Sequence, residues 1–172
     1  MKKLLLRSLF AASLTGAFLL PTTDADAALN AYLKLKGQKQ GEIKGSVVQK
    51  GKEGRIRVLA FNHSIMSPRD AASGLPTGKR QHKPFVITKE LDKSSPRFLN
   101  AIYTNETLTS VLIGLLLPNG ETMATVHLEN AHVSEDVQHG HTEEISFVYQ
   151  KITWTWTDGG ITAVDDWQAD NT

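Results

Sequence analysis

The chain contains no cysteine. Disulfides, thiol nucleophiles, thiolate-bound zinc and covalent haem attachment are therefore excluded together. An excess of one charge is missing too, with 19 basic residues against 18 acidic ones. Neither bulk nucleic-acid binding nor adhesion to an anionic membrane is favoured by that balance. No apolar run reaches the roughly 20 residues that span a bilayer. Catalytic signatures are lacking as well: there is no G-x-S-x-G elbow, H-E-x-x-H helix, phosphate-cradling glycine loop or dinucleotide fingerprint. The sequence reads as non-enzymatic, with no cofactor expected.

What is present begins with an address. Met1-Lys2-Lys3 and Arg7 form a short basic region, and Leu9 to Leu20 is apolar and rich in small residues. After Pro21 a polar stretch ends in Ala25-Asp26-Ala27. That order is the pattern of a secretory signal peptide, and places the expected cleavage between Ala27 and Ala28. Residues 1–27 are read as the leader and 28–172 as one folded domain. The expected destination is the periplasm or the cell exterior, without stable membrane insertion after cleavage. Losing the leader removes three basic and two acidic residues, leaving 145 residues with 16 of each sign. A core of that size needs no disulfide staples.

The dominant period along the domain is two. Ala31 to Lys36 alternates apolar and polar residues. Arg55 to Ile65 carries Ile56, Val58 and Ala60 on one face and Leu59, Phe61 and Ile65 on the other, as in a strand covered on both sides. Phe85 to Leu91 is a third strand. Val111 to Leu117 is a short apolar run closed by Pro118-Asn119-Gly120, whose Asn-Gly turn leads into a hairpin partner over Thr122 to Val133. Ile145, Phe147 and Tyr149 share a face, and the apolar phase then shifts to Ile152, Trp154 and Trp156. That shift marks a bulge near Gln150, where the chain bends from one sheet to another. One segment has helical spacing instead: Ser94 as cap, Pro96 in the first turn, Phe98, Leu99, Ile102 and Tyr103 on one face, and Asn105 at the end. These elements predict a mainly β fold, a two-sheet antiparallel β-barrel with one short flanking helix over about residues 95–105.

Met66 to Pro84 is of another kind, long, proline-containing and basic. Its charges are Arg69, Lys79, Arg80, His82 and Lys83, with Asp70 the only acid within it. A loop of this length is uncommon in a compact domain and is either functional or a solvated insertion. Unpaired charges on such a loop gain most from carboxylates on another subunit, so these five residues are the candidate inter-subunit contacts.

Other clusters carry less. His139-Gly140-His141, with His132 and a carboxylate from Glu135 or Asp136, has zinc-like spacing, but it lies in a polar turn where such residues are ordinary, and no metal is expected there. Glu143-Glu144 and Asp165-Asp166 are neighbours on strands and point to opposite faces, so neither pair forms an acid–base couple by itself. Trp154 and Trp156 share a face with Ile152, and Trp167 follows the Asp158-Gly159-Gly160 turn. Packing inside or at the end of the barrel is their expected role; if exposed, they would stack on sugars instead.

Longer matches bring in a family. Thr77-Gly78-Lys79-Arg80-Gln81-His82-Lys83-Pro84 fits a T-G-x-R-x-H-x-P loop, and Lys89 to Pro96 fits K-E-[IL]-D-K-S-S-P opening a helix. Arg55 to His63, Leu128 to Val133 and Glu144 to Ile152 follow the same order of motifs. From Leu29 to Trp167 the chain resembles the Hcp family, the tube proteins of type VI secretion. The resemblance implies subunits that close into homohexameric rings, rings that stack, and effectors or spike components as partners. Tube-building members carry no cleaved leader, and residues 1–27 depart from that pattern. An exported ring-former outside secretion, and an exported monomeric ligand- or carbohydrate-binding barrel, are the alternative readings.

Overall fold

The computed structural model describes residues 30–167. The leader and its expected cleavage point at Ala27 and Ala28 lie outside them. In chain order come β1 (Ala31–Gly37), β2 (Gly41–Ile43), β3 (Ile56–Val58), β4 (Ala60–Asn62), β5 (Ile65–Met66), β6 (Gln81–His82) and β7 (Phe85–Glu90). Then follow α1 (Ser95–Tyr103), β8 (Leu108–Leu116), β9 (Thr122–His139), β10 (Thr142–Val148), β11 (Lys151–Trp156) and β12 (Ile161–Asp166). All pairings are antiparallel, as expected for strands joined by short turns.

β9 organises the molecule. Its first part, Ala124 to Glu129, is paired on one side with β8 and on the other with β11. Its second part, His132 to His139, pairs with β10. Between them Asn130 takes a left-handed backbone (φ 49°), a conformation asparagine tolerates better than most residues. One sheet therefore runs β2–β1–β8–β9–β11–β12 with β3 also on β1, and the other runs β9–β10–β7–β4. Their facing sides form one core that includes Leu33, Leu35, Ile56, Phe85, Ile87, Val111, Ile113, Val126, Leu128, Ile145 and Phe147.

The sheets do not close into a barrel, which corrects the sequence expectation. The ladder is an open path from β2 to β4, with β12 hanging from β11. The Arg55–Ile65 segment would have closed it as a single two-sided strand. Instead it breaks at Leu59: β3 pairs with β1, β4 pairs with β7, and the Leu59 amide donates to the Thr88 carbonyl at 2.8 Å. Ile56 and Val58 are fully buried, whereas Ala60 and Ile65 are exposed, so the two-sided apolar pattern does not correspond to two buried faces. The phase shift near Gln150 is a real change of sheet. β10 ends at Val148 between β7 and β9, and β11 restarts at Lys151 between β9 and β12.

α1 starts after Ser94, but the Ser94 side chain does not cap it. Its hydroxyl is engaged by Asp92, whose carboxylate also accepts the Ser94 amide at 2.8 Å. Phe98 and Ala101 form the buried face, and Phe98 meets Phe147 edge-on with ring centroids 6.2 Å apart. Tyr103, expected on that face, points to solvent. Asn105 ends the helical segment in a left-handed conformation (φ 46°), as its type allows.

Candidate functional site: loop, latch and sheet edge

The Met66–Pro84 segment is a hairpin built on β5 and β6. Asp70 accepts the Ser73 amide at 2.7 Å and the Ala72 amide at 3.2 Å, and an isolated bridge joins Arg69 to Pro76 nearer the tip. Aspartate used in this way turns the chain back locally. The five basic residues named from the sequence divide into two groups. Arg69, Lys79 and Lys83 are exposed, and the Arg69 guanidinium donates to the Gly74 carbonyl at 3.1 Å.

Arg80 and His82 are held instead by their own chain. Arg80 grips both oxygens of Asp165 and donates to the Asp166 carbonyl at 3.2 Å. His82 Nε2 lies 2.6 Å from Asp165 Oδ2, and its Nδ1 lies 2.9 Å from Tyr149 Oη. On the far side of the same hydroxyl stands His63 Nε2, at 2.8 Å. Aromatic rings wall the cluster: Trp167 against His82 at 4.6 Å between centroids, and Phe85 and Trp154 against His63 at 5.3 and 6.1 Å. The Arg80 fork holds the Asp165 carboxyl below the usual carboxylate range; burial works against this, and His82 adds to it. Burial, then the nearby Asp165 charge, pushes the Tyr149 hydroxyl upward. Burial, then the His82 ring, pushes His63 below the usual histidine value. The sequence showed the basic loop, and Asp165 and Tyr149 on strands, but nothing joined them, because both lie more than sixty residues further along the chain.

A second polar cluster lies under the start of α1. Lys89 (1% exposed) meets Glu143 (0% exposed) at 2.5 Å and Asp92 at 3.1 Å. Ser95 Oγ donates to Glu143 at 2.7 Å and accepts the Asp92 amide at 3.0 Å. The K-E-L-D-K-S-S-P block is thus the near half of a buried ion cluster. Asp136 lies within the same field. Burial, then the Glu143 charge, raises its carboxyl to about 6, against the opposing pull of Lys89.

The remaining sequence candidates separate. Glu143 turns inward and Glu144 outward, as the alternation requires. His132 Nε2 is 3.1 Å from the Thr107 hydroxyl, while Gly140 and His141 turn β9 into β10 and His139 pairs with Thr142. Among the described residues no group of three or more histidines and carboxylates is placed to hold a metal. Trp154 packs against the core, but Trp156 (47% exposed) lies in a shallow apolar groove of about 280 Å³ with Leu115, Ala124, Ile161 and Ala163. β12 forms one edge of that groove, with Ile161 69% and Val164 59% exposed. Exposed apolar residues on an edge strand are an unusual liability unless something covers them.

The family described as "Type VI secretion system effector, Hcp" matches residues 32–156. The "Major exported protein" of Pseudomonas aeruginosa is 38% identical over 167 residues, spanning 83% of this chain and 97% of that one. Among solved structures, a mutant form of the Hcp1 protein from E. coli superposes with a TM-score of 0.74 at 38% identity, covering 81% of this chain and all of that one. The secreted protein Hcp3 from Pseudomonas aeruginosa superposes with a TM-score of 0.69 at 35% identity, covering 80% and 99%. With a matched span of this extent and these identities, the chain belongs to the Hcp family of type VI secretion proteins.

Proposed function

We propose that this Hcp-type tube protein works as a closed homohexameric ring, and that the rings stack into a conduit for effectors or spike components. The observation that carries this reading is the open ladder, whose edge strand β12 exposes Ile161 beside Trp156 and Val164 on its other face. A patch of that kind fits a head-to-tail contact, in which one surface of a subunit meets a different surface of the next and the rotation closes. Analytical ultracentrifugation of residues 28–172 tests it. A single species six times the monomer mass is expected, and a monomer at tens of micromolar would overturn it.

The exposed loop cations Arg69, Lys79 and Lys83 belong in this proposal as contacts between subunits or between stacked rings, with Arg80 and His82 fixing the base of the hairpin that presents them. Residues 1–27 are proposed as a cleaved leader, which gives this member a route through general export. Replacing Ala27 by a bulky residue is expected to accumulate precursor. N-terminal sequencing of the cellular protein reads the outcome directly, and a wild-type protein that still begins at Met1 would overturn the assignment.

A further inference from the structure

We propose that the hydrogen-bonded chain Arg80–Asp165–His82–Tyr149–His63 is an acid-released latch, which ties the loop hairpin and the last strand to the body of the domain and opens when both of its imidazoles carry a proton. The geometry sets the limit. Asp165 is an acceptor, so His82 Nε2 carries a hydrogen toward it, 2.6 Å away. Tyr149 Oη has one hydrogen to give and stands between two ring nitrogens, at 2.9 and 2.8 Å. With no added proton, His63 Nε2–H donates to the hydroxyl, and the hydroxyl donates to His82 Nδ1. With one added proton the chain still satisfies every member. If the proton sits on His63, these directions stand; if it sits on His82, they reverse. With two, both nitrogens are donors, the Tyr149 hydrogen has no acceptor between them, and two cations face each other with centroids 6.2 Å apart. The latch therefore carries one proton and fails at the second.

The surroundings define the field. On the hairpin side stand Arg80 and the exposed Lys83; on β12 stand Asp165 and Asp166, the latter opposite Lys151 on β11. Between β10 and β11 stands Tyr149, and the walls from Phe85, Trp154 and Trp167 are uncharged. Asp165 is already committed to Arg80 and His82, and among the described residues no carboxylate contacts His63. The His63 value is held low by burial first and by His82 second. A base lowered in this way binds protons less well folded than unfolded. Its contribution to latch stability is complete above about pH 6.5 and is lost as pH falls through and below that value.

Hydrogen exchange of the purified chain, followed by mass spectrometry and corrected for the intrinsic effect of pH, tests the latch. Between about pH 7.5 and pH 5 the segments of β5, β6 and β12 are expected to exchange several-fold faster, while β8 and β9 stay protected. His63→Gln, which keeps a neutral partner for Tyr149, should stay latched at the lower pH. Tyr149→Phe should exchange fast in these segments at both. Three outcomes would overturn the proposal: no change in the wild type, the same change in His63→Gln, or loss of protection in β8 and β9 at the same pH.

Discussion

Glu143 and Glu144 are neighbours in sequence with opposite fates, and the buried one sets the cost of mutating this region. Glu143 is matched to Lys89 and Ser95 in a site closed to water. Removing one partner strands the other charge, which typically costs ~3–5 kcal/mol, whereas replacing both with neutral groups of similar shape costs far less. We predict that Glu143→Ala lowers the stability measured by urea titration by that amount, and that Lys89→Met with Glu143→Gln recovers most of it. Asp136 carries a prediction of its own. Its folded-state value of about 6 lies above the ordinary 3.8, so the folded chain holds its proton more tightly than the unfolded one. The resulting stabilisation is present below about pH 4 and is lost as pH rises through about 6. Asp136→Asn is expected to be ~3 kcal/mol more stable than wild type near pH 7.5 and no more stable at pH 4. Lys89, Asp92, Ser94 and Ser95 were visible in the sequence as one motif, but their partner Glu143 lies 54 residues beyond Lys89 and no local pattern points to it.

Among the elements, the hairpin after β4 shows what loop composition can and cannot reveal. Five cations with a single nearby acid read as five unpaired charges. The fold pairs Arg80 and His82 with Asp165, from a strand at the other end of the chain. A charge reversal at Arg80 would therefore break the hairpin's base as well as any contact it makes. Lys79→Glu with Lys83→Glu is the cleaner test. Circular dichroism should be unchanged, while ring stacking seen by electron microscopy should weaken. Wild-type stacking should weaken in the same direction with added salt, since exposed charges are screened over about 8 Å at physiological ionic strength. β9 shows the complementary limit. Its alternation is legible only to Val133, because Ser134, Glu135 and Asp136 interrupt the apolar pattern. Backbone pairing with β10 nevertheless continues to His139. The break at Leu59 was illegible for a similar reason: strand pattern reports which side chains are apolar, not which neighbour supplies the hydrogen bonds.

At the scale of the whole molecule, an open ladder with a side branch leaves edges at β2, β4 and β12 to manage. The end at β12 carries Ile161 and Val164, and a charge on either face of that strand should oppose docking of a neighbour. We predict that Ile161→Lys with Val164→Lys converts a ring into monomers in sedimentation, with the domain still folded because both positions are already largely exposed. A ring unaffected by both changes would move the contact elsewhere. The way β9 belongs to both sheets has a mechanical consequence. Tension applied to one sheet reaches the other along the continuous backbone of β9, and the hydrogen bonds flanking β9 lie across the direction of pull. Such bonds are loaded in shear and must yield together, whereas those at a hairpin end peel apart one at a time. A wall section built this way resists stretching far better than its small core would indicate.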